Sequence, residues 1–561
     1  MKGKGKWTVL LSIMLVLSLF LSACSGGGSS KTEGGKSGSG GKNATKQELN
    51  FVSSDDIPSL DIHKATDSTS FTMDYMLQAG LMTVYNSKTE PDLSDGQPQV
   101  SDDGKVYTFK IRDGVKWSNG TPITANDFVY AWHRILDKDF GAPYSYIFES
   151  AHIKNAAKIL DPNSDLYGKV DELGVKAVDD KTLEVTLEKP TPYFLSLMAF
   201  PPFFPLNKEF VEQQGKNYAL EANSLLYSGP YKLEKWDHGV GWALVKNPDY
   251  WDAKSITMEK VNYKIVKDLG TRVNLYQTGK IDRVGLTEEF VNKYKSSPEY
   301  QQIPDNCVFY MKLNIAKVPV FQNLKVRQAM SMVIDRKGWT DTLLNNGSIP
   351  GNFFVPKDFT FGPDGKDFRE PSPNGYDLGD KAKAKKLWDE AKKELGIKTL
   401  KVRYLTTDSP QSTKYAEYNA HTIEQALPGF KFVIEKQPWA QYLEQSKSDN
   451  FDIAAGSSWC PDYQDPTTFL DIMSEGNTQN SGKWNDKHYN DLLKQADQLG
   501  NKPAERWKVL QEAEKYLIEQ APIIPIYQLG GAIMTKPYVK GLVDESYGPS
   551  PDFRHATVKP H

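Results

Sequence analysis

Cysteine and histidine are scarce: three cysteines and eight histidines stand in 561 residues. Three thiols cannot staple a small disulfide scaffold, and a chain this long does not need one. The histidines are scattered singly, and neither CxxC nor HExxH occurs, so nothing marks a metal centre. No GxSxG nucleophile turn is present. GGKSGSGGK superficially resembles a phosphate loop, but its glycine spacing is wrong and no strand precedes it. Basic residues are not in surplus: 68 Lys and Arg face 71 Asp and Glu, a net charge of −3. Outside the first residues no Lys/Arg-rich run occurs, which argues against nucleic acid as a partner. No cofactor is implied. No internal repeat of fixed period is visible.

What is present begins with length and apolar content. At 561 residues and 39% hydrophobic composition, two to four domains with sizeable cores are expected. The start is a legible address. MKGKGKW is basic, TVLLSIMLVLSLFL is apolar, and LSAC follows. Val9 to Leu21 is short for a membrane span. Basic region, apolar region, small residues and cysteine read as a lipoprotein signal peptide. Cleavage after residue 23 leaves Cys24 as the lipidated N-terminus. Residues 25–46, SGGGSSKTEGGKSGSGGKNATK, form a flexible tether. As a random coil it reaches about 25 Å. The folded body is expected from Gln47, outside the cytoplasm, held to the extracellular face of a Gram-positive cell membrane by lipid.

Along the body, strands and helices alternate without segregating. Leu49 to Val52 reads as a strand and Ser70 toward Leu81 as a helix. TPITANDFVYAWHRIL reads as a helix with Thr124 as N-cap and an apolar face of Phe128, Val129, Trp132, Ile135 and Leu136. GVKAV and TLEVTL flank a turn at Asp179-Asp180, and YKLEKW with GWALVK reads as a strand pair. FPPFFP cannot be regular helix and suggests a crossing between domains. VFYMKLNI is a strand, and LKVRQAMSMVIDR and residues 381–395 are helices. TLKVRYL, residues 413–427 and FKFVIEK form a β–α–β run, which suggests parallel pairing.

Residues 458–464, SWCPDYQ, place Cys460 beside Asp462 between Trp459 and Tyr463. A nucleophile would need a partner histidine and an oxyanion site, and nothing suggests them. With Cys24 assigned to lipid, Cys307 and Cys460 remain in an oxidising compartment. A disulfide between them is the preferred reading, and two buried free thiols the alternative.

At this point the motifs match a known family. KIRDGVKWSNGTPITANDFVYAWHRIL resembles its "LR…KWSDGTPVTAxDFVYSW". KNPDYWD resembles "NPxYWD", FQNLKVRQAMSMVIDR resembles "F…D/N-x-R-V-R-x-A…DR", and WCPDYQDPTTFL resembles "WCADYxxPxxFL". Four motifs in the right order are specific, and the likeness covers nearly all of residues 47–561. The chain is similar to the oligopeptide-binding lipoproteins of peptide ABC importers, extracellular solute-binding protein family 5.

The resemblance implies a mixed α/β fold of the type II periplasmic-binding kind. That fold is pear-shaped, with two hinged lobes and a third smaller domain. It places a discontinuous first domain at 47–78, 206–306 and 531–561, a second at 79–205 and a third at 307–530. It implies a monomeric binding protein, not an enzyme. Such a protein captures short peptides in extended form between its lobes. It delivers them to ABC permease subunits with cytoplasmic ATPases.

The aspartate of the last motif, here Asp462, would hold the peptide's α-ammonium. On the residues alone Asp462 reads as a turn cap. Trp459 and Trp439 match pocket tryptophans, and Tyr146 in APYSYIF matches a pocket tyrosine, with core packing as the plain alternative. Cys460 matches a cysteine whose partner lies seven residues before a strand asparagine, here Cys307 before Asn314. Departures fall in side-chain pockets and backbone contacts: Gly456 replaces an arginine, Ser446 and Lys447 replace other charged residues, and Thr66 an acidic one. They leave ligand length and preference open. Competing readings are a receptor for one signalling peptide, an extracellular hydrolase, or a receptor for nickel or haem on the same fold.

Overall fold

The first strand, Glu48–Ser53, buries Leu49 and Phe51 on one face. It pairs in parallel with Lys260–Ile265, which runs antiparallel to Gly241–Lys246, which pairs with Tyr231–Asp237. The last two strands are the expected pair, turning through Gly239 at φ +74°. In the computed structural model, residues 45–561 are described. Signal peptide, Cys24 and nearly all of the tether lie outside them.

A second four-stranded sheet joins Gln99–Val100, Val106–Lys110, Thr182–Thr186 and Val175–Asp179. Against it lies the helix Ala125–Leu136, whose Phe128, Ala131, Trp132, Ile135 and Leu136 are buried. Its N-terminus is closed as expected: the Thr124 N–H donates to Asp127 Oδ2 at 2.7 Å. FPPFFP, expected not to be regular α-helix, forms a buried 3₁₀ turn, Pro201–Phe203. The Trp132 indole donates to Phe203 O at 3.0 Å, so the turn is part of this helix's packing.

The third sheet has seven strands in the order Arg283–Leu286, Ile523–Thr535, Tyr300–Leu313, Ile453–Trp459, Leu400–Thr407, Phe430–Gln437, with Ile349–Pro350 pairing Ile523–Thr535 from the side. The β–α–β run is parallel as expected, Leu400 opposite Phe430 through Thr407 opposite Gln437. The domain boundaries expected at 307 and 531 both fall inside strands. Tyr300–Leu313 continues through Asp305-Asn306, and Ile523–Thr535 continues through Gly530-Gly531. The two face each other there, Ile303 opposite Gly531, and their register shifts between Pro304 and Val308. Backbone pairing with a neighbour carries each strand past turn-forming residues that end strands in isolation.

The helix expected from Ser70 toward Leu81 runs Ser68–Leu77, because Asp67 caps it by accepting from Ser70 N–H at 3.0 Å. The C-terminal segment returns to the first strand: Gln47 donates to and accepts from Val558 at 2.9 Å each. Arg554 ties the same segment to Thr83 and Val84. Both ends of the described chain thus meet in one region, and Lys46–His561 forms one compact unit. Among the described residues no helix is long and apolar enough to cross a membrane.

Candidate peptide-binding cleft

The strand Ile453–Trp459 delivers Trp459 opposite Val308 and then hands the chain to a loop. One residue on, Cys460 is joined to Cys307, their Cα atoms 4.0 Å apart. The preferred sequence reading of these two thiols holds. Asp462 follows, its N–H donating to Thr468 Oγ1 at 3.0 Å. Tyr463 shares a hydrogen bond with Thr467 Oγ1. Asp465 accepts from Thr467 N–H at 3.1 Å and from both guanidinium nitrogens of Arg506 at 2.8 Å. A covalent link at one end and a bidentate buried ion pair at the other hold the loop in place.

Asp462 is 8% exposed, and among the described residues no ion pair engages it. Its Oδ2 has no hydrogen-bond partner. Burial pushes its pKa well above the ordinary carboxylate range, against a smaller lowering by the nearby Tyr144 hydroxyl. Its charge is felt by Tyr75, Tyr144 and Tyr146, whose own hydroxyls are also pushed up, first by burial. Trp459 stacks on Tyr144 with centroids 6.2 Å apart and planes at 19°, and its Nε1 has no partner. An acid walled by aromatic rings with one free oxygen is a receptor for a positively charged donor.

The loop faces elements from the other side of the molecule. Tyr463 stacks on Tyr193 at 5.0 Å. Ser150 Oγ donates to Asp471 at 3.2 Å, and Asp497 takes His152 Nε2 at 3.0 Å and Lys189 Nζ at 2.7 Å. Gln479 Nε2 donates to Pro143 O at 3.2 Å. These contacts join segment 143–193 to segment 463–497 around Asp462. Beside them opens a cavity of about 390 Å³, lined by Leu136, Gly141, Pro143, Tyr167, Lys447 and Gln479 among others. Asp462, Trp459 and Tyr144 are not part of its lining.

Of the residues singled out from sequence, Asp462, Trp459 and Tyr146 come together here, and all three are buried. Tyr146 stands beside Tyr144, ring centroids 5.6 Å apart, and of the two it is the Tyr144 hydroxyl that lowers the Asp462 pKa. Trp439 lies elsewhere. It opens the helix Trp439–Lys447 and stacks on Tyr442 at 5.5 Å, in a small cluster with Leu405, Phe451 and Ala454. Sequence reasoning missed Tyr144 and Tyr75. The two tyrosines of APYSYIF were the available signal for the first, and nothing marked the second. Among the described residues no group of three or more His, Cys, Asp or Glu is placed to hold a metal ion.

The descriptor "Bacterial extracellular solute-binding proteins, family 5 Middle" matches residues 88–481. The chain belongs to this family. Its members resemble it over almost their whole length. The dipeptide-binding protein DppE of Bacillus subtilis is 32% identical over 547 residues, 96% of each chain. The structure of Listeria monocytogenes OppA bound to peptide superposes with a TM-score of 0.86 at 36% identity, covering 92% of this chain and 100% of that one. The pheromone receptor PrgZ gives 0.86 at 32% identity, with 92% and 100% covered. The fold class is therefore the two-lobed type II periplasmic-binding architecture with an extra domain, shared with these family members.

Proposed function

We propose that this chain is an extracellular receptor that captures short peptides in extended form between its lobes. It holds their α-ammonium on Asp462 and passes them to an ABC permease. The observation that carries this reading is the buried Asp462 carboxyl, with one oxygen unpartnered, facing aromatic rings from the opposite side of the cleft. A peptide ammonium placed there gains a charge-assisted hydrogen bond of about 1.5–3 kcal/mol and reads nothing but the N-terminus. Backbone pairing along a strand edge accepts any sequence. The kinship with peptide-binding relatives supports the ligand class. The chain works as a binding protein rather than an enzyme, monomeric, anchored through lipid on Cys24. The three-domain division belongs to the same proposal, with the first domain holding both ends of the body.

The likeness to a pheromone receptor favours a second reading, capture of one signalling peptide. Native mass spectrometry of the fragment from Gln47, purified without added peptide, separates the two. A ladder of short peptide masses is expected for broad capture, and a single mass for a dedicated receptor. A clean unliganded mass, together with no binding of added peptides, overturns both.

A further inference from the structure

Two buried polar atoms, one on the anchor loop and one on the strand before it, have no protein partner, and they are of opposite kind. Asp462 Oδ2 is an acceptor without a donor, and Trp459 Nε1–H is a donor without an acceptor. Both residues are 8% exposed. One tyrosine from the opposite side of the cleft meets both. The Tyr144 ring stacks on the Trp459 ring, 6.2 Å between centroids, and the Tyr144 hydroxyl lies near the Asp462 carboxyl. The indole is fixed from three directions. Trp459 pairs opposite Val308 at the end of its strand, its neighbour Cys460 is bonded to Cys307, and the stack on Tyr144 holds the ring plane. An indole nitrogen can only donate, so leaving it buried and unpartnered costs about 1–3 kcal/mol.

A free N–H and a free carboxyl oxygen beside one tyrosine complement a molecule that carries an acceptor next to an ammonium. The first residue of a peptide is such a molecule: its ammonium nitrogen and carbonyl oxygen are held about 3 Å apart by two intervening carbons. We infer that Trp459 Nε1–H donates to the first carbonyl oxygen of the ligand while Asp462 takes the ammonium. Trp459 is then a specificity-determining residue, and the pair reads an α-aminoacyl group rather than an amine alone. A simple amine lacks the carbonyl, so it satisfies the carboxyl and leaves the indole unpartnered. A β-residue at the amino terminus places the carbonyl one carbon further off. The inference rests on the peptide-receptor reading above and adds a second, neutral contact to the ammonium anchor. Every peptide has this oxygen, so the contact confers no sequence preference.

The test titrates wild type and Trp459→Phe with one tetrapeptide in three forms: all-oxygen, thioamide at the first peptide bond, and thioamide at the second. Sulfur accepts a hydrogen bond less well than oxygen, and the exchange leaves the peptide N–H in place. Trp459→Phe keeps a ring to stack on Tyr144 and removes the indole N–H. The first-bond thioamide is expected to bind wild type about 3- to 10-fold more weakly than the all-oxygen peptide, and Trp459→Phe less than about twofold more weakly. The second-bond thioamide should change both proteins alike. The difference between the two proteins is the coupling between the indole and the first carbonyl. Equal losses on both proteins at the first bond, or a coupling that appears at the second bond instead, overturn the inference and leave peptide capture intact. Should Trp459→Phe not fold, the indole proton resonances of wild type decide. One is expected to move downfield with the all-oxygen peptide and by less with the first-bond thioamide, and identical spectra with the two peptides overturn the inference. Failure of every form to bind wild type overturns the peptide reading and this one with it.

Discussion

Replacing Asp462 by Asn keeps the shape of the side chain and one acceptor oxygen, exchanges the other oxygen for an amide NH2, and removes the capacity for negative charge. The consequence for binding follows from the surroundings. In the ligand-free closed form the acid is buried and its pKa raised, so it is held toward the neutral state. An arriving ammonium must first draw the proton off, which subtracts from the ion-pair gain. The charge-assisted bond is worth about 1.5–3 kcal/mol, and each ~1.4 kcal/mol is tenfold in affinity. After the deprotonation cost, Asp462→Asn should weaken a free-amine peptide about 10- to 100-fold. The same peptide N-acetylated carries no ammonium and should lose less than about threefold. Folding should move the other way, because the variant no longer buries an acid with an unpartnered oxygen: ligand-free stability in urea stays equal or rises. Calorimetric titration of both peptides against both proteins closes a double-mutant cycle whose coupling term isolates the ammonium–carboxylate pair. Equal losses for the two peptides would refute the anchor assignment.

Three other outcomes are expected. Denatured, unreduced protein from Gln47 onward should show no free thiol, and Cys460→Ser should cost about 2–5 kcal/mol in urea unfolding, since the link spans 153 residues; two titratable thiols in the native chain would contradict the bond. Binding should release a proton, because the ammonium favours the charged form of an acid whose free pKa is raised. Affinity then climbs with pH up to that free pKa, and falls where the peptide amine titrates at about 7.7–8.0. Equal binding enthalpies in buffers of different ionisation heat would exclude this linkage. For ligand-free folding the sign is opposite: a raised carboxyl makes stability fall as pH rises from about 3.9 toward the folded pKa, and Asp462→Asn should flatten that fall relative to wild type. Gly456 sits at φ +70° where Ala455 and Gly456 oppose Met311 alone, and a Cβ there meets no atom within 4 Å. Gly456→Ala should therefore cost about 1–2 kcal/mol through backbone conformation alone; an unchanged unfolding midpoint would remove that account.

Where local chemistry decides structure, the chain is legible. Thr124 with Asp127, the hairpin around Gly239 and the β–α–β run from Leu400 to Gln437 all follow from caps, turn glycines and apolar period. Asp462 was legible only through motif, since alone it reads as a turn residue. The rest depends on partners that no local window contains. Asp305-Asn306 reads as a break, yet the strand continues because Ile523–Thr535 pairs across it. That neighbour needs Gly531 at the crossing, where an added Cβ would stand 2.3 Å from the Ile303 side chain. The motif points to Tyr146, while Tyr144, two residues earlier, is the ring that stacks on Trp459, a packing that no local window contains. Lys312 follows the apolar run Val308 to Met311 near the end of its strand. Its half-burial comes from segments 473–484 and 522–523, remote in sequence.

Under the proposed function, the same surroundings would make closure conditional on ligand. The contacts that join the two sides include the hydrogen bonds of Ser150 to Asp471 and of Gln479 to Pro143, the stack of Trp459 on Tyr144, and two further sets. His152, Lys189 and Asp497 form a partly exposed ion pair and hydrogen bond, and such pairs contribute about 0–1 kcal/mol each. The stack of Tyr193 on Tyr463 adds about 0.5–1.5 kcal/mol. Against them stands Asp462, which water can solvate when the lobes part and which, with the lobes together and no cation beside it, keeps one oxygen without a partner. Leaving such an oxygen buried costs about 1–3 kcal/mol, comparable to the rim contacts themselves. The penalty offsets part of what these contacts contribute. A cationic ligand removes the penalty only in the closed state, and that difference between states is what a ligand needs in order to drive closure. An Asp462→Leu protein, of similar shape but with no polar atom to leave unpartnered, lowers the penalty without ligand. Its small-angle scattering radius, measured without peptide, should therefore shift toward the compact form, and an unchanged radius would show that closure is governed elsewhere.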